Sequence, residues 1–166
     1  MSKRLETFNA LTEEAALVQL LRVCTSTVWA RAVLDQRPFK DQAALLAASE
    51  AAWQLTDEAD WLEAFEGHPK IGDAQALQGG AETTAMQEQG QVSMALASTR
   101  EALARLNQIY LDRFGFIFII CASGRSAEAM RAVLELSLER SRGDELRRAA
   151  GEQLQIMTRR LGAWFE

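Results

Sequence analysis

The chain has 166 residues, of which 48% are hydrophobic and 25% are charged, and its formal net charge is −5. This length allows one domain with a sizeable core, so we expect a single domain over residues 1–166. The negative charge and the scattered basic residues argue against a nucleic-acid surface, and the one dense basic stretch, residues 140–148, is interrupted by Asp144 and Glu145. No apolar run reaches the length of a membrane span, and the first residues contain no apolar signal core. We therefore expect a cytoplasmic protein with neither nucleic acid nor a membrane as its partner.

The cysteines and the histidine are too few for a metal site or a disulfide scaffold. Cys24 and Cys121 form no C-x-x-C pair, and His68 is the only histidine. These features favour reduced, buried thiols and predict no metal. Cys121 follows an apolar run, which favours an inert thiol over a nucleophile.

The periodicity of apolar residues at spacings of three and four, with only two prolines, predicts an all-α bundle of about seven to eight helices. In the first half, side chains that suit a helix N-cap precede four periodic segments. These candidate caps are Thr12, Ser26 or Thr27, Asp41 and Thr56. The first helix is expected to end near Cys24, the second before Arg37-Pro38, and the fourth, residues 57–65, leads to His68.

The second half begins with a predicted loop over residues 73–80, followed by a long helix over residues 82–113 that Gly90 could kink. Residues 114–120 are a short apolar run with no obvious partner strand, so we expect a buried extended connection. Ser126 is the candidate cap of the next helix, and a last helix is predicted from about Asp144 to Trp164.

The sequence GHPKIGD, residues 67–73, holds His68, the candidate proton carrier of the chain. Imidazole has an unperturbed pKa of about 6.5, beside neutral pH. Pro69 disfavours an α conformation at His68, so this residue should lie at the end of a helix. The alternative is a structural histidine that caps a helix C-terminus, where a positive ring suits the helix dipole.

Two further stretches could serve the same chemistry. A helix that folds back over the 67–73 loop could bring Glu88 to His68 as an acid–base partner, although a lone glutamate is more often a solvated residue. Backbone N–H groups at the start of the helix after residues 121–126, together with Arg125, could bind carboxylate or carbonyl oxygens. Alternatively, this stretch is a core connection that ends in an N-cap.

GHPKIGD, the Glu-Gln pair in MQEQG and the stretch YLDRFGFIFIICASGRS together resemble the OHCU decarboxylase family. The resemblance spans nearly the whole chain. It implies an all-helical homodimer without metal or organic cofactor that converts 2-oxo-4-hydroxy-4-carboxy-5-ureidoimidazoline into (S)-allantoin at the end of urate breakdown. It also implies a catalytic histidine at His68 and a glutamate partner at Glu88.

The same resemblance implies three substrate-binding stretches in which main-chain groups hold the ring and ureido oxygens. The residues are Pro69, then Ala85, Met86, Gln87, Glu88 and Gln89, then Ile119, Ile120, Cys121, Ala122, Ser123, Gly124 and Arg125. The family commonly has serine where this chain has Ala85, so a hydroxyl contact is replaced here, at most, by a backbone contact.

Two other functions remain open on the residues alone. A cofactorless hydrolase or cyclohydrolase acting on another ureide or imidazolone would use the same histidine and glutamate to activate water. A helical binding module without catalysis would use HPKIGD only as a turn and would expose a large apolar patch.

Overall fold

A computed structural model describes residues 3–68 and 89–164, except for the side chains of residues 89–97 and 100. Within these ranges the protein has eight α-helices and no strand, which confirms the predicted all-α fold. The helices are α1 (Lys3–Ala10), α2 (Glu13–Val23), α3 (Thr27–Leu34), α4 (Gln42–Gln54), α5 (Glu58–Glu66), α6 (Gln89–Phe114), α7 (Ala127–Ser137) and α8 (Arg142–Ala163). No helix in the described part of the chain combines the length and the apolar character that crossing a membrane requires.

The chain forms two compact units. The first comprises residues 1–67 and 150–166, and the second comprises residues 68–149. Helix α8 begins in the second unit and ends in the first. The expectation of a single domain over residues 1–166 stays a prediction.

Two buried tryptophans anchor the core of the first unit. The indole N–H of Trp29, on α3, donates to the carbonyl oxygen of Ser49 on α4 at 3.1 Å. The indole N–H of Trp53, also on α4, donates to the carbonyl oxygen of Ala150 on α8 at 3.1 Å. A buried indole N–H needs a hydrogen-bond acceptor, and these two bonds supply one for each ring. They also fix how α3, α4 and α8 pack against one another.

Side-chain N-caps begin four helices where the sequence predicts them. The cap side chains accept backbone N–H groups three residues on, in the pairs Thr12 with Ala15, Ser26 with Trp29, Asp41 with Ala44 and Ser126 with Ala129, at 2.7 to 3.3 Å. Between Ser26 and Thr27, the two candidates for α3, the cap is Ser26.

The predicted cap of α5 is wrong by one residue. Asp57 caps this helix, and its carboxylate accepts the N–H groups of Ala59 and Asp60 while the Asp60 carboxylate accepts the N–H of Asp57 at 3.0 Å. The hydroxyl of Thr56 instead donates to the carbonyl of Trp53 and accepts the indole N–H of Trp61 at 2.9 Å. A reciprocal capping box satisfies two backbone donors, and Thr56 cannot form one because the residue three positions on is Ala59, whereas Asp57 has Asp60 there.

Helix α1 is not predicted by the sequence. Only Leu5 and Phe8 of its eight residues are buried, so the segment lacks a long apolar stripe. Tertiary contacts stabilise it: the ring of Phe8 packs on Phe39 and Trp164, with centroids 6.4 and 5.6 Å apart. The guanidinium of Arg37 donates to the carbonyl of Phe8 at 3.1 Å.

Candidate active site

His68 lies directly beyond α5, outside the helix and half-buried, which agrees with its predicted place at a helix end. Gly67 is the C-terminal cap of α5, with φ −73°. The backbone of His68 therefore lies beyond the helix, where the i to i+4 hydrogen bonds of α5 no longer constrain it.

Hydrogen bonds to Thr25 and Thr27, at the start of α3, hold the last turn of α5. The hydroxyl of Thr25 donates to the carbonyls of Glu63 and Ala64 at 2.8 and 3.3 Å. The carboxylate of Glu63 in turn accepts the backbone N–H of Thr27 at 3.1 Å and its hydroxyl at 2.7 Å. A Cβ at Gly67 would lie 2.6 Å from two side-chain atoms of Thr25, so only glycine fits without a shift.

Several predicted site residues lie outside the described residues. These are Pro69, Ala85, Met86, Gln87 and Glu88. Gln89 is the first residue of α6. The proximity of His68 and Glu88, on which the acid–base hypothesis depends, therefore stays a prediction.

The third predicted stretch is a connection between α6 and α7 without regular secondary structure. Its first part is buried and its second part is a solvent-exposed turn, closed by the N–H of Arg125, which donates to the carbonyl of Ala122 at 3.1 Å. Gly124 occupies this turn with φ +76°, a conformation that favours glycine. The buried residues are Phe116, Phe118, Ile119, Ile120 and Cys121; Ala122 and Ser123 are exposed and Arg125 is half-buried.

A buried ionic cluster contacts this connection. The carboxylate of Glu145, 0% exposed, pairs with the guanidinium of Arg148 at 2.6 Å and accepts the hydroxyl of Tyr110 at 2.8 Å. Burial, and then the neighbouring carboxylate, raise the pKa of Tyr110 well above its ordinary value, so the neutral hydroxyl is the donor. Arg148 also donates to the carbonyl of Ile119 at 3.0 Å and lies over the ring of Phe118, 4.8 Å from its centroid.

Two further arginines surround the same cluster. Arg140 pairs with the second carboxylate oxygen of Glu145 at 3.3 Å. Arg142 donates to the carbonyl of Phe114 at 3.1 Å and lies over the ring of Phe116. The stretch at residues 140–148, which looks like a basic surface in the sequence, therefore turns three of its arginines towards one buried acid or the backbone of the connection.

The sequence analysis did not predict the contact between this cluster and the connection from α6 to α7. Its members come from α6 and α8, and Tyr110 and Glu145 are 35 positions apart. The signal that could have found it is the three-residue spacing of Arg142, Glu145 and Arg148, which places all three on one face of α8.

The cysteine thiols are buried, as predicted. Burial is the main reason that the pKa of Cys24 is raised to about 11. Within residues 3–68 and 89–164, no three His, Cys, Asp or Glu side chains lie close enough together to hold a metal ion.

Comparisons with known proteins point to one family. Residues 9–162 match the family model described as OHCU decarboxylase. The uric acid degradation bifunctional protein TTL of Arabidopsis thaliana is 34% identical over 145 residues, which cover 86% of this chain and 45% of that protein. A 2-oxo-4-hydroxy-4-carboxy-5-ureidoimidazoline decarboxylase of Haloferax volcanii is 25% identical over 162 residues, covering 97% of this chain and 95% of that protein.

Solved structures agree with these sequence matches. A crystal structure of OHCU decarboxylase in the presence of (S)-allantoin has a TM-score of 0.74 and 32% identity, covering 89% of this chain and 96% of that one. A crystal structure of (S)-allantoin synthase has a TM-score of 0.71, covering 98% of this chain and 53% of that one, and at 17% identity it shows the shared fold alone. The chain thus spans less than half of the Arabidopsis protein but nearly all of the Haloferax enzyme and of the first crystal structure.

Proposed function

The chain belongs to the OHCU decarboxylase family, and we propose that it is a carboxy-lyase that converts 2-oxo-4-hydroxy-4-carboxy-5-ureidoimidazoline into (S)-allantoin. The observation that carries this proposal is the family match over residues 9–162, which includes His68 and the connection between α6 and α7. The reaction belongs to urate and purine degradation.

The chemistry needs no electron sink from outside the substrate. Cleavage of the C–CO₂⁻ bond releases CO₂ and leaves an electron pair, which the substrate's own conjugated nitrogen and carbonyl system accepts. The protein must then orient the ring, exclude water and deliver one proton to one face of the resulting carbanion. A side chain that exchanges protons near neutral pH is sufficient for this task.

His68 is the proposed acid–base residue, beside the departing carboxylate and the tertiary hydroxyl. Its position outside α5 and its partial exposure suit a group that must reach a ligand. Glu88 is proposed to hold the imidazole tautomer or to contact the substrate. Either role gives this carboxylate an effect on turnover.

The substrate is proposed to bind main-chain groups of three stretches, at Pro69, at residues 85–89 and at residues 119–125. The buried part of the last stretch offers backbone donors and acceptors in a water-poor environment, where hydrogen bonds are stronger. Arg125, half-buried in the following turn, is the proposed contact for a carboxylate. A homodimer in the cytoplasm, in which each chain is one domain, completes the proposal.

Coupled urate oxidation followed by circular dichroism tests this function. The substrate decays spontaneously, so it must be generated in the cuvette, and an active decarboxylase is expected to yield enantiopure (S)-allantoin with trapped CO₂ released in equal amount. A hydrolase would consume the intermediate without CO₂, and a binding module would not change the rate. Either result would reject the proposal.

A further inference from the structure

We propose that Arg148, held by Glu145, is a positioning residue that orients the Ile119–Ile120 peptide for the substrate. The inference rests on the proposed function, because it assigns a purpose to the 119–125 stretch. It starts from the two contacts that Arg148 makes with consecutive residues, the ring of Phe118 and the carbonyl of Ile119.

The geometry of a peptide unit links these contacts to the opposite side of the chain. Among the described residues only the Arg37–Pro38 bond is cis, so the Ile119–Ile120 peptide is trans. In a planar trans peptide the C=O and the N–H point in opposite directions. Arg148 binds the carbonyl of Ile119, and this bond therefore directs the N–H of Ile120 away from α8. One guanidinium thus sets the direction of a backbone donor that it does not touch.

The chemistry of the guanidinium explains why this residue is arginine. Its planar fork can donate to the Glu145 carboxylate and to the Ile119 carbonyl at the same time, while its flat face packs on Phe118. A lysine ammonium carries the same charge as a single point and offers no flat face. The geometry of the fork, and not only its charge, fixes the peptide.

Glu145, the buried acid, holds Arg148 in the position that this role requires. An ion pair that is removed from water contributes little net stability compared with apolar residues of similar volume, because desolvation offsets the attraction. Glu145 is fully buried, and its side-chain partners include Arg148, Arg140 and Tyr110. It holds the Arg148 side chain, 15% exposed, against the connection.

Arg148→Lys is the test, because it keeps the charge that Glu145 needs and removes the fork. The expected result is a KM for freshly generated substrate that rises about tenfold, the factor that accompanies the loss of one hydrogen bond, with kcat retained within about twofold. A residue that only stabilises the fold would lower the melting temperature without this split between KM and kcat.

Arg147→Lys is the matched control. Arg147 lies on the same helix and pairs with Asp144 at 2.7 Å, but its side chain is 69% exposed. The same chemical change there is expected to leave KM unaltered. If Arg148→Lys does not fold, the neutral pair Glu145→Gln with Arg148→Met removes the Ile119 contact without stranding a buried charge, and the same rise in KM is expected.

An active, folded Arg148→Lys enzyme with unchanged KM would overturn the positioning role. A rise of equal size in Arg147→Lys would do the same, because the effect would then follow from an arginine-to-lysine change anywhere on this part of α8 and not from the Ile119 contact. Failure of the proposed function is a separate result, since the unaltered protein would then not accelerate CO₂ release at all.

Discussion

Gly67 is required by its neighbour and not by its own backbone. Its φ of −73° is open to any residue, but a Cβ would lie 2.6 Å from Oγ1 and Cγ2 of Thr25. We expect Gly67→Ala to lower the free energy of unfolding by about 1–3 kcal/mol, the usual effect of overpacking. Denaturant titration measures this loss.

Thr25→Ala supplies the control for that prediction. It removes the two atoms at 2.6 Å and leaves only the Cβ, at 3.2 Å. Adding Gly67→Ala to this background should therefore cost much less than it costs in the natural chain. An equal cost in both backgrounds would mean that the close approach of Thr25 is not what requires glycine.

His68 is expected to be indispensable for turnover and dispensable for folding. A positioned general acid or base contributes a factor of about 10²–10⁴, so His68→Asn should lower kcat by that amount. The thermal unfolding midpoint should change little, because the side chain is half-buried outside a helix. Near-normal turnover by a folded His68→Asn protein would reject the assignment.

Glu88 is tested by Glu88→Gln, which keeps the shape of the side chain and removes its charge. If the carboxylate holds the imidazole tautomer or contacts the substrate, kcat/KM should fall by about tenfold or more. An unaltered rate for Glu88→Gln would leave Glu88 without a role in turnover.

At the level of elements, two glycines should respond in opposite ways to the same change. Gly124 has φ +76° in the turn before α7, whereas Gly151 lies exposed inside α8 with open space where a Cβ would be. Gly124→Ala should lower the free energy of unfolding by about 1 kcal/mol, and Gly151→Ala should raise it by about 0.5–1 kcal/mol. Thermal melts of both variants check the signs. Two changes of the same sign would contradict the backbone argument.

Helix starts were predictable because their chemistry is local. Thr12, Asp41 and Ser126 each accept an N–H three residues on, a contact that the sequence contains in full. The start of α5 was harder because two adjacent residues, Thr56 and Asp57, both suit a cap. The choice depends on Asp60 and on the indole of Trp61, which takes the Thr56 hydroxyl.

The remaining errors have a nonlocal cause. Helix α1 forms because Phe8 packs against rings 31 and 156 positions away, at Phe39 and Trp164. Likewise, the sequence makes His68 a candidate site residue by its rarity and residues 119–125 a candidate stretch by the apolar run that precedes them, but it cannot pair Tyr110 with Glu145. Contacts between distant positions depend on packing, which periodicity does not encode.

For the whole molecule, the burial of two weakly acidic side chains, the thiol of Cys24 and the phenol of Tyr110, predicts a loss of stability at alkaline pH. Burial raises the pKa of Cys24 from 9.0 to about 11, so the folded state retains the thiol proton over a range in which the unfolded chain loses it. This contribution is fully present below pH 9 and is lost as the pH rises towards 11, by about 3 kcal/mol at 1.36 kcal/mol per unit. The raised pKa of Tyr110 adds a further loss above pH 10.

Urea unfolding at several pH values between 8 and 10 measures the Cys24 contribution before tyrosine takes part. Cys24→Ala is the reference, because it removes the titrating group. Its free energy of unfolding should fall less steeply with pH than that of the natural chain. Identical slopes would show that the thiol is not the group responsible.

The first unit is assembled from two separate parts of the sequence, residues 1–67 and 150–166. The later part supplies the acceptor for the Trp53 indole, the ring that packs on Phe8, and the guanidinium of Arg160, which donates to the carbonyl of Val23 at 2.6 Å. During translation these groups leave the ribosome only after the entire second unit. The earliest helices therefore stay incompletely packed and open to chaperones until residues 68–149, which contain the proposed active site, have been synthesised.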